Sequence, residues 1–360
     1  MSFSSLNLNF KTQSLNDWKE AARQELEGND PFEKLILKKG ELSIKPYYVA
    51  DPELEKNFIA PLPPSTQPFL GARSWHNTPK VAVTDAIKAN QEILDHLNQG
   101  ADGVLIEIFN DQVAPEVIFD QVQLPYCSVS LQFATKALSF LEKFKAYAES
   151  KYQRDQLSGG IFYHDAKEIS SLFRDWPHYK SLGVVIPDSP GDSTDTIASA
   201  MASVVNAAEI HRWDKRFVSQ VAFRLTVGTD FFLAMAKIQA LKHLWAGVAH
   251  AYEVDLIQPV FVHAYSPVWI QEGYEPHGNL LKQTTAGLSA VLGGCDALTL
   301  EADPKHPALA SRMARNVSSI LREESHLAQV ADPIAGAYYL QQLTEQHIEA
   351  TWKKFQTLMS

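Results

Sequence analysis

Two places in the sequence gather groups able to do proton or metal chemistry. One is His164-Asp165 together with the loop in VVIPDSPGDSTDTIASAMASVV (184–205), which carries Asp188, Ser189, Asp192 and Ser193. Carboxylates and an imidazole at one mouth would suit a hard divalent cation. The competing reading makes Ser193, Thr194, Asp192 or Asp195 a helix N-cap, with Pro187 and Gly191 shaping the turn. The other place is HAYSPVW (263–269), where His263 closes an apolar run and Tyr265, Ser266 and Trp269 follow. A histidine there can donate a proton or a hydrogen bond, because its pKa lies near neutrality. A structural histidine satisfied by a neighbouring loop is the alternative. No G-x-x-x-x-G-K-[ST], G-x-G-x-x-G or G-x-S-x-G occurs, so phosphate-loop and nucleophile-elbow chemistry have no motif here.

These groups sit at the ends of short apolar runs, and the runs recur. They are GVLIEI (103–108), CSVSLQF (127–133), GGIFYH (159–164), LGVVIP (182–187), QVAFRL (220–225), PVFVHA (259–264), DALTLE (296–301) and LAQVAD (327–332). Helical periods lie between them, clearest in 231–251 and 278–294. Eight β-branched runs alternating with helices predict an α/β fold, an eight-stranded parallel (β/α) TIM-type barrel. An open doubly wound sheet is the competing arrangement. In a barrel the loops after the strands form the active face. They would carry Asn110 and Asp111, His164 and Asp165, Asp188 to Ser193, Thr226 and Gly228, His263 to Trp269, and Glu301, Asp303 and His306.

Residues 1–68 read differently, as an extended N-terminal arm and linker preceding a barrel over 69–360. Asp17 is a candidate cap for a helix through WKEAARQEL that ends at Gly28. APLPPSTQP (60–68) is too proline-rich for helix or central strand. Trp18, Phe32, Tyr47 and Tyr48 are candidate anchors for a partner chain. Arg312, Arg315 and Arg322 can share a helix face, which is either ion-paired or partner-binding.

The net charge of −10 leaves no basic surplus for phosphates, so a nucleic-acid partner is not expected. No apolar run reaches the length of a membrane span, and the N-terminus lacks a signal-peptide pattern. Cys127 and Cys295 stand in apolar surroundings without metal-ligand spacing, as buried free thiols suited to a reducing cytoplasm.

Several segments resemble the methylmalonyl-CoA mutase family. They are VGTDFFLAMAKIQALKHLWA (227–246), RMARNVSSILREESHLAQVADPIAGAYYLQQLT (312–344), WKEAARQELEGNDPFEKL (18–35) and HAYSPVW, which keeps the family's His and Trp. The resemblance is specific over 205–345, fair over 15–50 and faint over 65–200. It implies a barrel that binds an acyl-CoA along its axis, with cobalamin carried by a separate domain through a D-x-H-x-x-G motif. That motif is absent from this sequence. Where the family places a substrate-binding histidine, this chain has Asp188; its two glutamines correspond to Tyr163 and Tyr265. A carboxylate at 188 cannot donate a hydrogen bond unless protonated. The segments bearing the family's substrate-clamping arginine and its tyrosine are missing.

The resemblance therefore implies the non-catalytic small subunit of a heterodimeric mutase. Asp188, Tyr163 and Tyr265 are then degenerate positions, and His263, Ser266, Trp269 and His164 a vestigial substrate site. It implies no metal and no cofactor on this chain, adenosylcobalamin in a partner large subunit, and, for the chain in isolation, a homodimer. Tyr163 and Tyr265 are expected to fill the barrel. The rival readings are an active acyl-CoA mutase barrel served by a cobalamin domain on another chain, and a metal-dependent barrel lyase using His164, Asp165 and Asp188.

Overall fold

The computed structural model describes residues 13–50, 59–64, 71–133, 138–165, 168–188, 193–269, 276–305 and 307–360. It divides into two units, Met1–Phe58 and Ile59–Ser360.

In the first unit, helix α1 (Leu15–Glu25) starts at Ser14. The Ser14 hydroxyl accepts from the Asp17 amide at 3.2 Å and the Asp17 carboxylate accepts from the Ser14 amide at 2.8 Å. This reciprocal box satisfies two otherwise orphaned N–H groups. Asp17, expected as the cap, is thus the third helical residue of the box. A short helix α2 (Pro31–Lys34) follows, capped by Asp30. Strands β1 (Leu37–Lys39) and β2 (Leu42–Ile44) then pair antiparallel around Gly40, whose φ of 57° favours glycine. Trp18 stacks on Tyr47 at 4.8 Å and meets Phe32 edge-on at 5.5 Å. The aromatic residues read as partner anchors therefore first pack on one another, with Tyr47 still 42% exposed.

The second unit runs β3 (His76–Asn77), β4 (Lys80–Val83), α3 (Ala86–Asn98), β5 (Gly103–Ile108), α4 (Pro115–Ile118), β6 (Ser128–Phe133), α5 (Leu138–Lys151), β7 (Ser158–Tyr163) and β8 (Tyr179–Ile186). It continues with α6 (Thr194–Ile210), β9 (Val221–Thr226), α7 (Phe231–Ala251), β10 (Phe261–Ser266), α8 (Pro276–Gly293), β11 (Ala297–Leu300), α9 (Pro307–Glu323) and α10 (Tyr338–Met359). The sheet order is β3-β11-β10-β9-β8-β7-β6-β5-β4, and all its pairings are parallel. Its two ends, β3 and β4, flank Thr78-Pro79 in one chain segment. They are two halves of one broken strand, so the curled sheet meets itself as a TIM-type barrel.

This corrects the strand assignment. The barrel has eight strand positions, but the first is 76–83, and LAQVAD (327–332) forms turns rather than the eighth strand. The β11 edge that such a strand would need is already taken by β3. Every run from 103 to 301 is therefore one position later in the barrel than the sequence count made it.

Both faces of the strands are buried, as parallel sheets require. Val104, Ile106, Val129, Leu131, Val184, Phe223 and Val262 face the helices. Leu105, Phe162, Val185, Ala222 and Tyr265 form a separate cluster inside the barrel. No α-helix joins β7 to β8 among the described residues. The space is closed by Phe144, Phe173, Trp176 and Tyr179, with Trp176 4.7 Å from Phe173 and 5.2 Å from Tyr179. Arg315 and Arg322 of α9 turn inward. Arg315 meets His96 and Gln99, and Arg322 pairs with Asp102 at 2.8 Å, while Arg312 is exposed. Cys127 and Cys295 are free and buried.

Candidate functional site

Strand register decides which groups face the barrel axis. Lys80 lies opposite Leu105, Ala82 opposite Glu107, Leu105 opposite Ser130, and Glu107 opposite Gln132. Arg224 lies opposite His263, and Tyr265 opposite Thr299. Charged and polar side chains set in otherwise apolar strands thus converge near the carboxyl ends of the strands.

They bind one another. The Lys80 ammonium lies 2.8 Å from Glu107 and 2.8 Å from Glu301. Gln132 donates to Glu107 at 3.0 Å and sits 3.4 Å from the His164 ring. The Tyr265 hydroxyl donates to Glu301. The Arg224 guanidinium lies over the Tyr265 ring at 4.3 Å, a cation–π distance. Burial would lower Lys80, but its bonds to Glu107 and Glu301 outweigh that and hold the ammonium above its ordinary pKa. Burial raises the Tyr265 phenol, and the nearby Glu301 carboxylate adds to the shift. The two cations and two carboxylates compensate each other inside a narrow lumen. Beneath them, Leu105, Phe162, Val185 and Tyr265 complete the filling.

His263 lies deeper and is fully buried. Its Nε2 is 2.8 Å from the Thr299 hydroxyl and 3.2 Å from that of Thr78, and Phe162 meets the ring edge-on at 5.4 Å. Burial first, then Arg224 and His76, push its pKa down to about 3, so the ring is neutral near pH 7. It is a hydrogen-bonding group in the barrel wall, not a proton shuttle.

Tyr265 fills the lumen as expected, but Tyr163 does not. Tyr163 faces outward against Phe133 at 6.5 Å, and its hydroxyl accepts from the Ser170 amide at 3.4 Å. Its neighbour Phe162 points in. The pairing with β8 shifts register between Gly160 and Phe162, with Ser181 and Leu182 opposite Ile161, but β7 itself alternates regularly, Ile161 and Tyr163 outward and Phe162 inward. Ser266 is buried, and its backbone carbonyl accepts from the Glu301 amide at 3.0 Å. The Trp269 amide donates to Asn279 at 2.9 Å.

At the rim, Asp188 is half-exposed, 3.9 Å from the buried Lys237 ammonium. A groove of ≈ 550 Å³ runs between His164, Asp165 and Pro187 on one side and Asp195, Thr196 and Ser199 of α6 on the other. Ser189 and Asp192 lie outside the described residues. Ser193 is the α6 N-cap residue, yet its hydroxyl meets His347 of α10 at 3.1 Å instead of capping the helix. Asp195 pairs with Lys354 of α10 at 2.9 Å. Among the described residues no three His, Cys, Asp or Glu side chains gather as metal ligands. A cavity of ≈ 580 Å³ opens at the opposite, amino-terminal mouth, beside His76, Ser128, Ser158, Lys180, Phe261 and Asp296.

Residues 192–360 match the family model for methylmalonyl-CoA mutase. The chain is 25% identical over 393 residues to a methylmalonyl-CoA mutase small subunit of Porphyromonas gingivalis, covering 96% of this chain and 63% of that one. It is 39% identical over 144 residues to a small subunit of Streptomyces virginiae, covering 39% of this chain and 23% of that one. Over just under half of its length, residues 192–360, the chain is thus similar to the methylmalonyl-CoA mutase family. Methylmalonyl-CoA mutase of Escherichia coli is 25% identical over 285 residues, 69% of this chain and 40% of the relative. Each match spans less than two-thirds of the relative's own length. The family match begins just before α6 and takes in β9 to α10, so it includes Arg224, His263, Tyr265 and Glu301 of the lumen but not Lys80, Glu107 or Gln132. No helix among the described residues is long and apolar enough to cross a membrane.

Proposed function

We propose that this chain is a non-catalytic barrel subunit of a cobalamin-dependent methylmalonyl-CoA mutase, the reaction that interconverts methylmalonyl-CoA and succinyl-CoA. Its partner is a catalytic large subunit in a cytoplasmic heterodimer. The observation that carries this reading is the lumen. Where the family's barrel takes an acyl-CoA, Lys80, Glu107, Glu301, Tyr265 and Arg224 bind one another above Phe162 and Leu105. An acyl-CoA would have to displace a charge-compensated network, which costs several kcal/mol in a buried setting. Asp188 adds a carboxylate at the rim in place of a hydrogen-bond donor, where it would repel a substrate carboxylate.

Adenosylcobalamin is assigned to the partner. Lys80, Glu107, Glu301 and Tyr265 at this mouth are committed to each other, and no chemical step is derived through cobalamin on this chain. What this chain supplies is a rigid body, and residues 13–50 add an aromatic cluster with partly exposed Tyr47, Leu35 and Leu37 as a docking element.

The similarity to the E. coli mutase supports a second reading, an active acyl-CoA mutase barrel served by a cobalamin domain on another chain. It requires the lumen network to part for substrate. Co-expression with a methylmalonyl-CoA mutase large chain separates the two. The subunit reading expects a stable one-to-one complex, and mutase turnover with adenosylcobalamin only when the large chain is present. Turnover by this chain with only a cobalamin domain added would establish the second reading.

A further inference from the structure

The barrel closes at an unusual place. β3 pairs with β11 through only two residue pairs, Ala297 with His76 and Leu298 with Asn77. Pro79 then interrupts the strand, and a proline cannot donate to a ladder. Side chains take over where the ladder stops. The Thr299 hydroxyl donates to the Thr78 carbonyl at 2.5 Å, and the Thr78 hydroxyl donates to the Leu298 carbonyl at 3.2 Å. The Thr299 proton is thereby committed across the seam, while the Thr78 hydroxyl lies 3.2 Å from both the Leu298 carbonyl and His263 Nε2. The Thr299 oxygen can then serve His263 only as an acceptor, so Nε2, at 2.8 Å, must carry the imidazole proton. In the neutral ring Nδ1 is the bare nitrogen. It is buried and has no hydrogen-bond partner among the described residues.

We propose that the β11–β3 seam is an acid-sensitive latch: neutral His263 holds it shut, and a second proton on that ring unlatches it. A proton on Nδ1 would place an N–H with no acceptor in a buried site, beside the edge of Phe162 and near the positive charge of Arg224. The surrounding charged groups do not rescue it. A charge on His76 of β3 would oppose it further, and burial lowers the His76 pKa as well. Glu107 of β5 and Glu301, just past the end of β11, are held by Lys80 of β4, and Tyr265 is bonded to Glu301. The proton is accommodated only when the seam parts and water reaches the ring. Opening then binds one proton, so its equilibrium constant grows about tenfold per pH unit below the ordinary histidine value of about 6.5. The inference does not depend on whether the barrel is catalytic.

Native-state hydrogen exchange on the full chain between pH 7 and pH 5, corrected for intrinsic rates, tests it. The His76 and Thr78 amides, which donate across the seam to Asp296 and Leu298, should show an opening constant rising about 25-fold over this range, while β7–β8 amides such as Val184 do not follow. The variant His263→Gln keeps a donor for Thr299 without titrating, and its seam amides should lose this dependence. A wild-type seam no more acid-sensitive than β7–β8, or an unchanged slope in H263Q, overturns the proposal. Should H263Q fail to fold, the wild-type comparison of the two strand pairs decides alone.

Discussion

Lys80→Met tests the lumen network most sharply. Methionine keeps the volume of the stem but removes the charge that two carboxylates share at 2.8 Å each. Glu107 and Glu301 keep 14% and 29% of their side-chain exposure, so they are mostly desolvated and keep only Arg224, over the Tyr265 ring, as a neighbouring cation. Breaking a buried pair from one side costs about 3–5 kcal/mol. Residual solvent at Glu301 reduces this, and about 2–3 kcal/mol is expected at pH 8. The loss should shrink towards pH 5, because one abandoned carboxylate can take up a proton. The sign follows from linkage: in the variant the folded-state carboxylate pKa is raised, so the folded form is penalised above the unfolded pKa and relieved as pH falls. Equilibrium denaturation at both pH values, with K80M/E107Q as a partner variant, gives the answer. A loss below about 0.5 kcal/mol, the size expected of an exposed ion pair, would refute the reasoning. So would a loss independent of pH, or no recovery in the double variant.

Other outcomes can be checked alongside it. Trp176→Ala empties the aromatic cluster that closes the β7–β8 side of the barrel and should cost about 3–5 kcal/mol in chemical denaturation. Gly183→Ala places a methyl carbon 2.1 Å from the Ile161 carbonyl, a backbone atom that cannot swing away. It should lower the yield of folded protein far more than Gly28→Ala, where the structure has open space but a φ of 92°. Ser193→Ala removes the His347 partner between α6 and α10 and should cost about 1–2 kcal/mol by thermal melting. Asp188→His restores the residue type that the family resemblance implies, yet should give no mutase turnover even with adenosylcobalamin, since the lumen stays occupied.

The rhythm of apolar runs carried the fold class, because seven of the runs from GVLIEI to DALTLE are strands of the barrel. The first strand escaped because Thr78-Pro79 breaks it into pieces of two and four residues, too short to show a period. LAQVAD filled the vacancy in the count only because Leu327 and Ala328 are apolar; they pack under turns rather than on an edge. Which way Tyr163 points was not legible. Both faces of the strand are apolar, so alternation gives no parity. The lumen network went unread because Lys80, Glu107 and Glu301 are neighbours only once the barrel closes. One signal was present: Glu107 in GVLIEI and Arg224 in QVAFRL are charges inside strand-like apolar runs, and such charges require partners. The family resemblance, placed over 205–345, agrees with the matched region 192–360.

The central claim is that this lumen belongs to the protein's own side chains. Isothermal titration of the isolated chain with succinyl-CoA tests it directly. The account predicts no saturable heat, in wild type or in Asp188→His. Stoichiometric binding that is weakened by filling the lumen further, as in Ala222→Leu, would contradict it.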